Sequence, residues 1–171
     1  FVVPQGRVLG GGSSINGMIY MRGQHQDYDD WENLDGCKGW SYSKVLPTFI
    51  KQEKNTRIKD NYHGQNGKLI VSDPSCPHPL SSALINASVS AGIKRSYDFN
   101  GSSQDGVGWY QVNAYKGKRQ SAATCFLKPE KWRENLKIFT DLEASRICFQ
   151  NRKAIHVEAK DQFGKDYCIK A

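Results

Sequence analysis

Apolar residues in this chain come in short runs broken by glycine and polar clusters, and the spacing inside each run separates helix from strand. The segment DYDDWEN, residues 27–33, starts with carboxylates suited to a helix N-terminus and stops before Gly36, which predicts a short helix. In SYSKVLPTFIKQEK, residues 41–54, Tyr42, Val45, Leu46, Phe49 and Ile50 recur three and four apart behind a Ser41 cap. A second helix is predicted there, with Pro47 forcing a kink or a late start. Residues 53–67 are polar and read as a loop, and Leu69, Ile70 and Val71 read as a strand. A third helix is predicted from Ser81 or Ser82 to Gly92, with Leu84, Ile85, Val89 and Ile93 on one side.

The second half is richer in alternation. Trp109, Gln111, Asn113 and Tyr115 alternate with Tyr110, Val112 and Ala114 as in a strand, and Lys116-Gly117-Lys118 forms a turn. Ser121 opens a short helix through Ala122, Ala123 and Phe126 that Pro129 ends. Residues 136–140, 144–149, 154–159 and 167–169 then read as a β-meander, with Asn151-Arg152 and Phe163-Gly164 near its turns. The fold class is α+β, mixed helix and strand, without an internal repeat.

Composition narrows the classes. A chain of 171 residues can carry one domain with a core, burying roughly two thirds of its unfolded surface. It begins at Phe1 and ends inside a predicted strand, so an internal piece of a longer protein is expected. The longest uncharged stretch, residues 8–21, is interrupted by glycine, serine and asparagine and falls short of the ~20 apolar residues a membrane span needs. Lys and Arg number 24 against 17 acidic residues, a net charge of +7, which raises the alternative of a non-enzymatic basic module for an anionic partner. Those cations are scattered, however, the densest group being Lys116, Lys118 and Arg119, and no nucleic-acid motif accompanies them, so no nucleic-acid partner is expected. The five cysteines form no CxxC pair; an odd number cannot form a complete internal disulfide set, which points to a reducing compartment and a cytoplasmic location. No metal site is read from the sequence.

One segment carries chemistry, PQGRVLGGGSSINGMIYMRG at residues 4–23. A phosphate-binding P-loop needs a lysine after its last glycine, and Ser13 stands there instead. A dinucleotide GxGxxG fingerprint needs interrupted glycines, whereas Gly10, Gly11 and Gly12 are contiguous. A plain glycine-rich surface turn remains open as a third reading. Residue by residue, however, the segment resembles the signature of the glucose–methanol–choline (GMC) oxidoreductases. Gly6, Arg7, Leu9, Gly10, Gly11, Gly12, Ser13, Ile15 and Asn16 fill that pattern, and Met18, Ile19, Tyr20, Arg22 and Gly23 continue it as in bacterial choline dehydrogenase-like members. The likeness runs on through Asp27-Tyr28 with Trp31, Gly39-Trp40-Ser41-Tyr42, Leu46-Pro47, Tyr62-His63-Gly64, Asp98-Phe99-Asn100-Gly101, Gly106-Val107-Gly108, Ser121-Ala122-Ala123 and Asn135-Leu136.

What the resemblance implies is an FAD-dependent enzyme oxidising the CH–OH group of a small-molecule alcohol by hydride transfer to flavin, as dehydrogenase or oxidase. It implies cofactor contacts at Arg7, Val8, Gly11, Gly12, Ser13, Asn16, Gly17, Met18 and Ile19, with Ala144 meeting the adenine; for Arg7, pairing with a local carboxylate stays open as an equal alternative. Some members tether the flavin through a histidine at the position of Ile15, so a non-covalent FAD is expected here. From the resemblance, the family's catalytic histidine is expected beyond this chain. His25, His63, His78 and His156 accordingly read as structural or solvated, and Trp40 and Trp109 as core rather than substrate pocket. Residues 1–35 and 130–171 would belong to the FAD-binding domain, and residues 36–129 mainly to an antiparallel-sheet substrate domain interleaved with it.

Overall fold

The computed structural model describes residues 2–170, which divide into two compact units with the chain boundary between Lys131 and Trp132. In the first unit, α1 spans His25–Asn33. It begins two residues before the acidic run because Asp27, at the third helical position, reaches back to the Gln24 N–H at 2.7 Å. Helix α2 spans Tyr42–Gln52 and runs through Pro47 rather than starting after it. Carboxylates of α1 satisfy its N-terminus: Asp29 accepts the Tyr42 N–H at 3.0 Å and Glu32 accepts those of Ser41 and Gly39 at 2.7 and 3.1 Å. Those bonds, with Ser41 foremost, hold the Glu32 carboxyl below its usual range.

Immediately after α2 the chain forms β1, Glu53–Asn55, paired in parallel with β2, Leu69–Val71. The loop expected over residues 53–67 is therefore corrected at its start, for a reason given below. Helix α3, Pro79–Ser90, starts earlier than expected because Pro79 occupies its first turn and the His78 ring accepts the Leu80 N–H at 3.2 Å. Of its apolar side, Ile85 is buried while Leu84 is two-thirds exposed.

The strand expected over residues 109–115 is shorter. Residues 114–115 form β3, Ala114–Tyr115, which pairs with β4, Lys118–Arg119, around Lys116 and Gly117, both at positive φ. Upstream, Val112 makes single bridges to Ile19 and Ser72 instead of a continuous ladder. The short helix after Ser121 is a π-helical turn, Ala123–Leu127, followed by a 3-10 turn, Lys128–Glu130, that includes Pro129.

The second unit is an antiparallel meander of β5 (Leu142–Gln150), β6 (Lys153–Asp161) and β7 (Asp166–Ile169), in that order. Asn151 and Arg152, both at positive φ, make the tight first turn. The run at residues 136–140 is not a strand. Among the described residues no helix is long and apolar enough to cross a membrane.

Candidate functional site

The glycine-rich segment forms a compact loop around a 3-10 turn, Gly11–Ser14. Gly10 and Gly11 sit at φ 93° and 53°, where a side chain is strained. The glycines divide into two kinds. A Cβ on Gly6 would lie 2.3 Å from the Gly11 carbonyl oxygen, and one on Gly10 would lie 2.5 Å from Ser14 Oγ and 3.2 Å from Ala123 Cβ. These two close the loop on itself. A Cβ on Gly12 or Gly17 would meet nothing within 4 Å. Their backbone is bare, so a planar or anionic group can come against main-chain N–H groups there.

Residues 111–123 hold the loop in place. One Arg119 nitrogen donates to the Ser13 and Asn16 carbonyls at 3.2 and 2.8 Å and to Asn16 Oδ1 at 2.8 Å. The Ala122 N–H donates to Ser13 Oγ at 2.9 Å, and Ser13 Oγ in turn donates to the Gly10 carbonyl at 2.5 Å. Asn113 N–H donates to the Met18 carbonyl at 2.7 Å, and Tyr20 N–H to the Gln111 carbonyl at 2.9 Å. Met18 itself lies at φ 63°, its N–H held by Asn16 Oδ1 at 3.1 Å. A non-glycine residue there costs about 1 kcal/mol and persists because its surroundings fix it; such strain gathers at functional sites. Beside it, a concave pocket of about 460 Å³ is lined by Met18, Val112, Tyr115 and Arg119 among others, within the size range of ligand sites.

Comparison with known proteins gives the chain's family. The GMC oxidoreductase family model matches residues 1–171. The chain belongs to the GMC oxidoreductase family. It is 44% identical over 155 residues to an alcohol dehydrogenase [acceptor] of Pseudomonas putida, covering 90% of this chain and 28% of that protein. An oxygen-dependent choline dehydrogenase of Brucella anthropi is 40% identical over 157 residues, covering 92% and 28% respectively. The fold superimposes on an FAD-dependent oxidoreductase from Chaetomium thermophilum with a TM-score of 0.90 and 30% identity, covering 99% of this chain and 32% of that one. The chain thus spans under a third of the length of the relatives it matches.

In this GMC chain the signature residues converge unevenly. Gly11, Gly12, Ser13, Asn16, Gly17, Met18 and Ile19 share the loop, where Val8 and Ile19 are more than half exposed despite being apolar. Arg7 is exposed on its approach. Ala144 lies in the second unit, on β5 opposite Ala159. Two loop partners escaped the sequence reading. Arg119 looked like one more solvated cation in a basic chain, and Asn113 like a member of an alternating strand. The only available signal was the turn at Lys116-Gly117, which brings Arg119 back alongside the loop. Asn113 Oδ1 is also a buried oxygen without a hydrogen-bond donor among the described residues, a polar atom placed next to the loop.

Beneath the loop's exit lies a buried ionic network. Arg22 pairs with Glu53, and its N–H donates to Asn100 Oδ1 at 2.8 Å. His63 bridges two carboxylates, with Nδ1 2.9 Å from Glu53 Oε1 and Nε2 3.1 Å from Asp98 Oδ2. Burial alone would lower the His63 pKa, but its bonds to Asp98 and Glu53 prevail and raise it from 6.5 to about 9. Two cations thus face two carboxylates. Asn55 joins Glu53 to Gln111, donating to each at 2.7 Å. This explains why β1, with its polar sequence Glu-Lys-Asn, is a strand: Glu53 and Asn55 point into the network and are buried.

The other histidines have local partners. His25 stacks on Tyr42 with ring centroids 3.5 Å apart and lies 3.2 Å from the Gly101 carbonyl, and His78 caps α3. Trp40 packs edge-on against Trp31 and is half exposed, while Trp109 lines a pocket of about 320 Å³ with Arg57 and Tyr97.

Proposed function

We propose that the whole protein is an FAD-dependent oxidoreductase that takes hydride from the CH–OH carbon of a small alcohol, as dehydrogenase or oxidase. The observation that carries this reading is the loop in which Gly12 and Gly17 present bare backbone while Arg119 and Ala122 fix the chain behind them. FAD, when bound, supplies the hydride acceptor. This chain's part is to seat it. Arg7, Val8, Gly11, Gly12, Ser13 and Asn16 would lie along the cofactor, with Gly17, Met18 and Ile19 near its reactive ring. For Ala144 as an adenine contact the support is the resemblance alone. The proposed interleaving, residues 1–35 and 130–171 for flavin and 36–129 mainly for substrate, rests on the same ground.

Relatives named for alcohol and choline oxidation favour this reading over the basic binding module. Ile15 supplies no imidazole for a covalent flavin bond, so the cofactor is proposed to be held non-covalently. Acid precipitation of the purified full-length protein tests both points: yellow flavin in the supernatant is expected. Colour in the pellet overturns non-covalent binding, and no flavin at all overturns the function.

A further inference from the structure

Three metal-capable side chains that the flavin reading leaves unused converge on one face of the meander. The register sets Cys148 of β5 directly opposite His156 of β6, and Glu158 follows two residues on, so all three side chains rise from the same face. Cys148 Sγ lies 3.4 Å from Glu158 Oε1, and His156 Nε2 lies 3.8 Å from the same oxygen. All three donor atoms fall within 4.8 Å of one another, and each residue is half-buried. Around tetrahedral zinc, with bonds of about 2.0–2.3 Å, neighbouring donors stand roughly 3.3–3.8 Å apart. Two of the three separations already match.

We propose that Cys148, His156 and Glu158 bind a zinc-class divalent cation that ties β5 to β6. The donor set excludes calcium and magnesium, which take oxygen ligands, and a thiolate with an imidazole suits zinc or its neighbours in the transition series. Arg146, directly opposite Glu158 and two residues before Cys148 on β5, completes the arrangement. Its Nε donates to Glu158 Oε2 at 3.1 Å and its terminal nitrogen to Oε1 at 3.0 Å. The first bond can stay and orient the carboxylate while Oε1 turns to the metal, as second-shell partners of metal ligands do. Burial and the facing Glu158 carboxylate hold the Cys148 thiol above its usual range. A dication between them reverses that field, so coordination releases the thiol proton to solvent as the metal–sulfur bond forms. Sequence spacing conceals the site because its donors meet only across a strand pair.

The test uses the full-length protein, stripped with a chelator and titrated with Co²⁺, read as a difference spectrum so that flavin absorption cancels. One Co²⁺ per chain and a thiolate-to-cobalt charge-transfer band, displaced by Zn²⁺, are expected. Cys148→Ser should abolish the band with the far-ultraviolet circular dichroism unchanged, and Glu158→Gln and His156→Gln should each weaken binding by about tenfold or more. Cys168, which faces Glu158 from β7, stays in place in Cys148→Ser. Absence of a band in the unaltered protein, or a band that survives Cys148→Ser, overturns the site.

Discussion

Arg119 shows how one side chain can determine a loop. A single guanidinium nitrogen holds two carbonyls and one side-chain oxygen of residues 13–16, and the positive charge on the donor strengthens each of these bonds. Arg119→Ala in the full-length protein is expected to weaken flavin affinity by about tenfold or more, roughly 1.4 kcal/mol, and Arg119→Lys, which keeps one charged donor nitrogen, should recover part of it. Flavin fluorescence on dilution measures both, and unchanged affinity in the alanine variant would remove Arg119 from the account. His63 makes a different kind of claim. Its pKa is raised from 6.5 to about 9, so its contribution is fully present below pH 6.5 and is lost as pH rises through 9. That shift corresponds to roughly 3 kcal/mol. Burial opposes the charge on Glu53, yet the bonds from His63 and Asn55 hold its carboxyl below 4.5, so its contribution is present above that pH and lost on acidification. Thermal unfolding against pH should show a maximum between these limits and a fall toward pH 10. His63→Gln should be less stable and should flatten the alkaline limb; an alkaline limb that is the same in both proteins would contradict the charged network. Neither role was legible in advance, because a lone Arg or His shows its partners only once distant segments meet.

At the scale of elements, legibility followed the source of stability. Helices α1, α2 and α3 and strand β2 were visible because apolar spacing and caps define them, and the meander because its turns and alternation do. Strand β1 was not, since its buried residues are Glu53 and Asn55, held by ionic and amide partners that no hydrophobic pattern records. The stretch before β3 alternates like a strand, but the Gln111 side chain leaves for the polar network, both backbone bonds of Val112 go to Ser72, and the backbones of Gln111 and Asn113 bond Tyr20 and Met18 instead. The loop of residues 6–19 was recognisable by its glycines, while their separate duties were not. Gly6→Ala should strain the loop by about 1–3 kcal/mol, because the new methyl group meets the Gly11 carbonyl. The check is the unfolding midpoint of the full-length protein. A midpoint equal to the parent's would show that the loop does not close as described.

Taken whole, the chain is a segment of a GMC oxidoreductase, and its proposed part is to seat the flavin. The central claim is that the bare backbone at Gly12 and Gly17 faces bound flavin. It is tested most directly by the flavin content of purified full-length Gly12→Leu and Gly17→Leu. A Cβ at either position would have no neighbour within 4 Å, and neither residue has a positive φ, so the first atom of the new side chain meets no part of this chain. The account predicts that flavin per chain falls by about tenfold or more while the unfolding midpoint of the apoprotein stays that of the parent. Full flavin occupancy in both variants would contradict it.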